Sequence, residues 1–325
     1  MMKQIRLLIL MSVIIISFFC PLAENVGMAS PVSFVTFCDA YDKKDYESIV
    51  RIFDAGLDAN LQFSGDRSLL TYVAANAQDE EFAISIARLL LSKGARVNDE
   101  DSFGRAPVVY AIENNKKTLL KFLLDNGADI TLHSRAYIMP VVFVPFLRKN
   151  PDLAYLVISK CPNVNVKDNL GNTTLSWAAR FGYIDSVRFL INKGAAIDNL
   201  SIHLKTPLME AAEKGHYDVV KLLVENGANV NLQTQKGWSA LMWAAEKGYN
   251  DIVSLFIKAG AGLFAKNING ERALVIAKKN NHSETVKIIR KAEFHYWLKC
   301  ILIVGGPIAA MILIVVIIVY LRRRR

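Results

Sequence analysis

The sequence lacks the motifs that usually mark an enzyme. Its 325 residues contain no glycine-rich phosphate loop, no Cys-x-x-Cys pair and no nucleophile placed beside a base. Histidine is scarce, and His133, His203 and His295 are scattered without the spacing of metal ligands. We therefore expect neither catalysis nor a bound metal or cofactor.

Cysteine is scarce as well, and the four that are present form no disulfide framework. Cys20 lies in a segment that we expect to be cleaved off, and Cys300 lies beside a long apolar run. Cys38 and Cys161 are three layers apart in the repeat array described below, about 25–30 Å at ordinary helix spacing. A disulfide needs Cα atoms within about 7 Å, so the fold must be held by packing.

The chain has no excess of acidic residues. Its formal net charge of +9 and its pI near 9.3 would ordinarily suggest nucleic-acid binding. Seven of the 39 basic residues, however, lie near the chain ends with no acid nearby: Lys3, Arg6, Lys299 and Arg322–Arg325. The remaining 32 basic residues nearly balance 30 acidic ones, so we do not expect a nucleic-acid partner.

The N-terminal segment, residues 1–29, has the layout of a secretory signal peptide. Lys3 and Arg6 precede an apolar run at 7–19, and small residues lead to a plausible cleavage site between Ala29 and Ser30. An uncleaved signal anchor is the alternative.

The C-terminal segment, residues 295–325, is predicted to cross a membrane. Residues 301–321 carry no charge and would span about 31 Å as a helix, close to a hydrocarbon core of about 30 Å. Tyr296, Trp297 and Tyr320 stand where interfacial aromatic residues are found. The run is either a permanent anchor or a sorting tail, and Gly305-x-x-x-Ala309 would allow weak self-association through it.

Positive charge at both ends predicts the topology. The repeats would lie on the non-cytoplasmic side of the membrane, with Arg322–Arg325 in the cytoplasm. In a bacterium, which the compact signal and the short arginine tail suggest, this is the periplasmic side of the inner membrane.

Between the two ends, the chain repeats itself. A turn such as Gly227-Ala228-Asn229-Val230-Asn231 recurs, and its first positions follow one another at spacings of 38, 33, 34, 33, 33 and 33 residues from Gly56 to Gly260. A fixed period of this length is typical of stacked repeat proteins.

One unit shows how such a repeat folds. Thr206 is suited to cap a helix that begins at Pro207, and Leu208, Ala211 and Ala212 form its apolar stripe. Gly215 ends this helix, and Val219, Leu222 and Leu223 give the next one the same spacing before Asn226-Gly227 stops it. A single unit buries too little apolar surface to fold alone, so its neighbours must complete the core.

The pattern Thr-Pro-Leu-x-x-Ala-Ala, Gly-His, Val-Val-x-Leu-Leu, Gly-Ala-x-Val-Asn in residues 206–231 resembles the ankyrin repeat. Residues 173–198 and 239–264 match it well, and the match weakens outward. The resemblance implies an all-α fold over residues 31–294, an ankyrin-repeat α-solenoid of about eight helix–turn–helix layers with β-hairpin fingers. The end units and residues 136–161 are degenerate.

Two units depart from the pattern. The 38-residue spacing contains five extra residues around Asn76–Glu81, which we expect to lengthen the turn between the paired helices. In the fourth unit Val144-Pro145 replaces Ala-Ala, and Pro145 should kink or end its first helix. This unit is either a tolerated degenerate layer or a bend that shapes a partner site.

Two sets of residues look functional but recur in register. His216 occupies a slot that holds Tyr183 and Tyr249 one period away and His282 two periods on, so we interpret it as a packing and hydrogen-bonding position. Trp177 and Trp243 share a column with the aromatic residues Tyr72, Tyr110 and Phe143, which indicates core between repeats rather than a ligand cage.

The resemblance implies that partners bind to the finger tips and to the exposed face of each first helix. Trp238, Phe181, Arg180 and Arg105 are the expected anchors, because tryptophan, tyrosine and arginine dominate binding hot spots. The other candidate positions in these slots are Phe103, Asn172, His203, Lys205, Lys214, Lys236 and Lys247.

We therefore expect a non-catalytic scaffold for protein partners, anchored in a membrane. The alternative is a regulatory or assembly subunit of an envelope complex that acts partly through its transmembrane helix.

Overall fold

The computed structural model describes residues 31–63 and 65–304. The chain divides into two compact units, and the boundary in the sequence lies between Val144 and Pro145. Within the described ranges both units consist of helix pairs joined by short hairpins or turns. Helix pairs stacked in this way share their apolar faces, as the sequence pattern requires.

The first unit contains three helix pairs and two small antiparallel hairpins. Its helices are α1 (Pro31–Asp42), α2 (Tyr46–Asp54), α3 (Leu69–Ala75), α4 (Glu80–Ser92), α5 (Pro107–Glu113) and α6 (Lys117–Asp125). Its strands are β1 (Gln62–Phe63), β2 (Arg67–Ser68), β3 (His133–Ser134) and β4 (Met139–Pro140). Gln62 pairs with Ser68 in the first hairpin, and His133 pairs with Pro140 in the second.

The second unit continues with the same architecture. The first unit ends with a 3₁₀ turn (Val141–Phe143), and the boundary lies within the next helix, α7 (Val144–Leu147). The following helices are α8 (Pro151–Ser159), α9 (Thr174–Phe181), α10 (Ile184–Asn192), α11 (Pro207–Lys214), α12 (Tyr217–Glu225), α13 (Ala240–Lys247), α14 (Asn250–Lys258), α15 (Ala273–Lys279) and α16 (Ser283–Val304).

The pair α11–α12 forms as its sequence predicts. The Thr206 hydroxyl accepts a hydrogen bond from the Met209 amide at 3.2 Å, and Pro207 takes the first helical position. Gly215 ends the helix with φ +80°, a left-handed conformation that glycine adopts without strain. Leu208, Ala211 and Ala212 are fully buried. The capping residues and the spacing of the apolar residues therefore indicate the same helix.

The extra residues near Asn76–Glu81 do not mainly lengthen the turn, and that prediction was wrong in part. Helix α4 has 13 residues where α12 has nine, and only Asn76 to Asp79 separate it from α3. The Asp79 carboxylate caps α4 by accepting from the Phe82 amide at 3.1 Å. Ala83, Ile86, Ala87 and Leu90 are fully buried along it. Their spacing continues a helical stripe, so the insertion is stabilised as helix.

In the layer that contains Pro145, the first helix does not end at that residue, as one form of the prediction required; it changes from a 3₁₀ turn to an α-helix just before that residue. A 3₁₀ turn precedes the four-residue helix α7, and the Asn150 amide donates to the Pro145 carbonyl at 3.2 Å. Pro145 lies in the first turn of α7, where its missing N–H does not cost an intrahelical hydrogen bond.

Within residues 31–63 and 65–304, no helix combines the length and the apolar character that crossing a bilayer requires. The predicted signal segment 1–29 and residues 305–325 lie outside the described residues. Of the predicted transmembrane run 301–321, the structure describes only the first four residues, which continue α16.

Candidate protein-interaction surface

Four hairpin fingers of the second unit carry the candidate surface. Their tips, which we call the finger row, are residues 168–171, 201–204, 234–237 and 267–270. Each finger is closed by a backbone hydrogen bond, such as Asp168 N–H to Asn172 O at 3.0 Å or Thr234 N–H to Trp238 O at 2.9 Å.

Backbone hydrogen bonds also link neighbouring fingers. The Ile202 amide donates to the Leu170 carbonyl at 2.9 Å, and the Ile268 amide donates to the Lys236 carbonyl at 3.1 Å. Between them, Gln235 N–H lies 3.4 Å from His203 O. The tips are therefore held in register by the main chain.

The finger row presents large apolar side chains to solvent. Leu170 is 49% exposed, Ile202 52%, Leu204 39% and Ile268 69%. Burying such surface gains about 25 cal/mol per Å², so each side chain would gain from being covered. Exposed apolar side chains on three of the four tips, with polar residues around them, favour a binding surface.

Asn172 does not lie on this surface, which corrects its prediction as a partner-binding residue. It is 8% exposed, and its amide donates to both Asp168 oxygens, at 3.3 and 3.0 Å. The same carboxylate accepts from the Leu170 amide at 2.8 Å and from the Trp177 indole at 2.8 Å. Asn172 therefore helps to fix the finger from within.

A group of charged residues, which we call the charge cluster, lies beside the fingers. Its centre is Glu210, whose side chain is only 3% exposed. Arg180 donates to both Glu210 oxygens, at 2.8 and 3.0 Å, and Lys205 lies 3.3 Å from the same carboxylate. Lys205 also pairs with Glu213. A buried carboxylate is tolerated because two cations compensate it.

The contacts within the charge cluster shift the pKa values of Arg180 and Glu213. Hydrogen bonds to Glu210 raise the pKa of Arg180 above its ordinary value, although burial acts in the opposite direction. Burial also opposes ionisation of Glu213, but the hydrogen bond and charge of Lys205 lower the pKa of that carboxyl below its ordinary value. Both shifts favour the ionised forms of Arg180 and Glu213 near neutral pH.

Trp238 is partly covered by another tryptophan. Its ring centroid lies 4.5 Å from that of Trp243, and the Lys205 ammonium lies 5.0 Å from the Trp243 centroid. The Trp243 indole nitrogen is buried, with no hydrogen-bond partner among the described residues. In the equivalent position Trp177 donates to Asp168, whereas the finger below Trp243 has Thr234, whose hydroxyl accepts from the Trp238 amide.

The remaining predicted residues fall into two groups. Phe181 is half-buried and stacks on Trp177 at 5.9 Å, and Lys205 is largely buried in the charge cluster. His203, Lys214, Lys236 and Lys247 are exposed. In the first unit, Phe103 is 60% exposed, and Arg105 lies 3.3 Å from Glu113 and 5.9 Å from the Phe103 ring centroid.

The His216 slot has the packing and hydrogen-bonding role that the sequence predicts. His216 Nε2 lies 3.0 Å from the Arg180 carbonyl oxygen, and His282 Nε2 lies 2.8 Å from that of Glu246. Each ring covers a glycine that ends a helix of the preceding layer: a Cβ added to Gly182 would lie 2.6 Å from the His216 ring. The Tyr249 ring covers Gly215 in the same way.

Sequence reasoning missed the apolar tips Ile202, Leu204 and Ile268 and the role of Glu210. The tips have a local signal, because an apolar residue inside a turn of serine, asparagine and glycine, as in Asn267-Ile268-Asn269-Gly270, has no core to face. The pairing of Glu210 has no such signal, since Arg180 is 30 residues away.

Comparison with known proteins identifies the family. Residues 37–134, 146–234 and 215–299 each match the family described as ankyrin repeats (3 copies). The chain belongs to the ankyrin repeat family. Ankyrin repeats are scaffolds for protein–protein interaction, which gives this chain its general class of function.

Individual relatives share only the repeats. An ankyrin repeat protein of Fowlpox virus (strain NVSL) is 27% identical over 166 residues, which cover 50% of this chain and 24% of the viral protein. Human neurogenic locus notch homolog protein 1 is 29% identical over 123 residues, 38% of this chain and 5% of that protein. The chain thus spans a quarter or less of these relatives.

A solved structure shares the fold. The ankyrin repeat domain of Bcl-3, a member of the IkappaB protein family, superposes with a TM-score of 0.58 at 21% identity. The match covers 70% of this chain and all of that domain. It supports the helical solenoid of ankyrin repeats.

Proposed function

We propose that this protein is a non-catalytic scaffold that binds a protein partner through the finger row and the adjoining charge cluster. The observation that carries the proposal is the exposure of Leu170, Ile202, Leu204 and Ile268 on tips that the main chain holds in register. Apolar contacts would supply affinity, and the surrounding charges would select the partner.

The surface is rigid before any partner arrives. The backbone bonds between fingers and the paired carboxylate of Glu210 fix both the tips and the neighbouring helix face. Rigid surfaces lose less conformational entropy on binding, so more of the contact energy appears as affinity.

Display outside the cytoplasm is the second element of the proposal. It rests on the signal-like segment 1–29, on the uncharged run 301–321 and on the basic residues at both ends. The repeats would face the periplasm of a bacterium, and the anchor would confine the search for a partner to the plane of the membrane.

Photo-crosslinking in intact cells tests both elements. A photoreactive residue replaces Leu170 or Ile268 in the full chain, and the matched control replaces Tyr217, which is 40% exposed on α12. We expect one protein adduct from both tips and none from the control. Equal adducts from all three positions would contradict the assignment of the surface.

A reporter fused after residue 294 tests the location independently. Activity of a reporter that works only outside the cytoplasm is the expected result. A reporter active only in the cytosol would contradict display, while leaving the crosslinking result meaningful.

Exchange of the predicted transmembrane run distinguishes a scaffold from a subunit of an envelope complex. Residues 301–321 are replaced by an unrelated apolar run of equal length. A scaffold keeps its adduct at Leu170, whereas a subunit that assembles through its transmembrane helix loses it.

A further inference from the structure

An open groove lies at the C-terminal end of the second unit. It has a volume of about 890 Å³ and runs between the end of α14, the turn that follows it and the outer face of α16. Its floor is apolar, formed by side chains such as Ile257, Leu263, Phe264 and Ile288. The lining contains no aspartate or glutamate.

The rim of the groove is cationic. Lys258, Lys291 and Lys299 line it, are exposed, and have no carboxylate partner among the described residues. Nearby lysines behave differently, because Lys279 pairs with Glu271 and Lys287 with Glu284. An anion in the groove would be attracted by these cations, and no carboxylate of the lining competes for them.

Exposed aromatic residues stand beside this rim. Tyr296 and Trp297 are 50% and 52% exposed, and their ring centroids lie 5.3 and 6.1 Å from that of Phe264. Aromatic rings with one polar end favour the boundary between headgroups and acyl chains.

The position along α16 fits the same boundary. This helix is continuous from Ser283 to Val304 and so reaches the first residues of the uncharged run. At 1.5 Å per residue, Lys299 lies about 3 Å before Ile301 and Lys291 about 15 Å before it along the axis. A headgroup layer of about 5–8 Å on the hydrocarbon core would therefore reach the lower half of the groove.

We propose that this groove binds an anionic phospholipid. Lys258 and Lys299 would contact the phosphate, Lys291 would add charge above it, and the apolar floor would take the glycerol end of an acyl chain. The inference rests on the proposed membrane anchoring, and it adds a ligand to a part of the chain away from the finger row.

The test uses the full chain reconstituted into vesicles. These contain either phosphatidylcholine alone or phosphatidylcholine with one-third phosphatidylglycerol, each with a trace of the matching photoactivatable lipid. We expect phosphatidylglycerol to label peptides of residues 257–299 at least tenfold more than phosphatidylcholine. Each lysine near an anionic surface contributes about fivefold in affinity, so the triple variant K258Q/K291Q/K299Q should lose the preference.

A control variant removes the same number of positive charges at positions outside the groove. K149Q/K193Q/K221Q removes three exposed lysines of the same unit that belong neither to the groove nor to the candidate partner surface, and it should label like the wild type. Equal labelling by both lipids, or a preference that survives in K258Q/K291Q/K299Q, would overturn the site. Inorganic phosphate at millimolar concentration should not displace the lipid; displacement would assign the groove to free phosphate instead.

Flotation of the chain with the vesicles tests the membrane anchoring separately from the lipid preference. A chain that does not float with either kind of vesicle would overturn both the anchoring and the lipid site. A chain that floats but shows no lipid preference would overturn only the lipid site.

Discussion

Glu210 is the residue on which the order of the candidate surface depends. Its carboxylate is almost fully buried, and Arg180 and Lys205 are its cationic partners among the described residues. A charge that is removed from water needs such partners, because an unpaired charge in the protein interior strongly destabilises the folded state. Substitution of either cation should therefore lower the stability of the fold as well as the affinity for a partner.

Arg180→Met tests this dependence. The variant loses two charge-assisted hydrogen bonds to Glu210, so we expect it to lower the free energy of unfolding by about 1–3 kcal/mol, measured by urea denaturation. Arg188→Met on the exposed face of α10 should change it by less than about 0.5 kcal/mol. An equal effect of the two substitutions would show that the Glu210 pairing does not stabilise the unit.

Glu213 gives the cluster a pH dependence. Its pKa is lowered in the folded protein from an ordinary value of 4.5, so its stabilising effect is present above that value. The effect is lost as the pH falls through the lower, folded pKa. We expect the wild type to lose more stability than Glu213→Gln between pH 6 and pH 3 in urea titrations. Parallel curves would exclude this contribution.

Gly182 shows how closely the layers approach. It has φ +74°, and a Cβ there would lie 2.6 Å from the His216 ring. Gly227 has φ +85° with nothing within 4 Å of its Cβ position. Both alanine variants should lose about 1 kcal/mol because of their left-handed backbone. Gly182→Ala should lose about 1–3 kcal/mol more from overpacking, measured by thermal and urea unfolding. Equal losses would show that the ring moves away freely.

At the scale of elements, the finger tips are positions where a substitution can change binding without changing stability. Ile268 is 69% exposed, and its backbone amide, rather than its side chain, links it to the neighbouring finger. A substitution there should alter what the tip contacts without disturbing the fold.

Ile268→Asp should therefore weaken partner binding by about tenfold, a typical effect for a residue that contributes strongly to an interface. Its unfolding midpoint in urea should match the wild type. Tyr217→Asp on α12 is the control and should bind normally. Normal binding by Ile268→Asp would remove this tip from the interface.

The elements also show how far the sequence predicts the fold. The helices α11 and α12 begin and end where Thr206, Gly215 and Gly227 indicate, because capping and glycine conformation are local effects. The length of α4 was not predicted, since an insertion in a turn and an insertion in a helix differ only in the spacing of Ala83, Ile86 and Ala87.

The candidate site was less predictable than the fold. The sequence indicates the fingers and first helices as slots, but it does not show which side chains face inward. Asn172 is turned toward Asp168, and Lys205 contacts Glu210 and Glu213 on the helix that follows it. Repeat register gives the slot of a residue but not its rotamer, and the Arg180–Glu210 pair joins two layers, so no local pattern reveals it.

At the scale of the whole molecule, packing between layers carries the stability. The described residues contain no disulfide, and fully buried side chains such as Leu208 and Phe256 sit between helix pairs. Because each layer completes the core of its neighbour, the loss of one layer should destabilise those on both sides.

The continuity of α16 makes the last repeat and the start of the uncharged run a single rod, from Ser283 to Val304. If residues 301–321 cross a membrane as proposed, the orientation of the second unit about the axis of α16 depends on the helical phase at which that run begins. One alanine inserted after Lys299 would swing the Ile268 side of that unit by about 100°, whereas seven would nearly restore it. Binding of a partner embedded in the same membrane should be weakened by the insertion of one alanine and nearly unchanged by the insertion of seven.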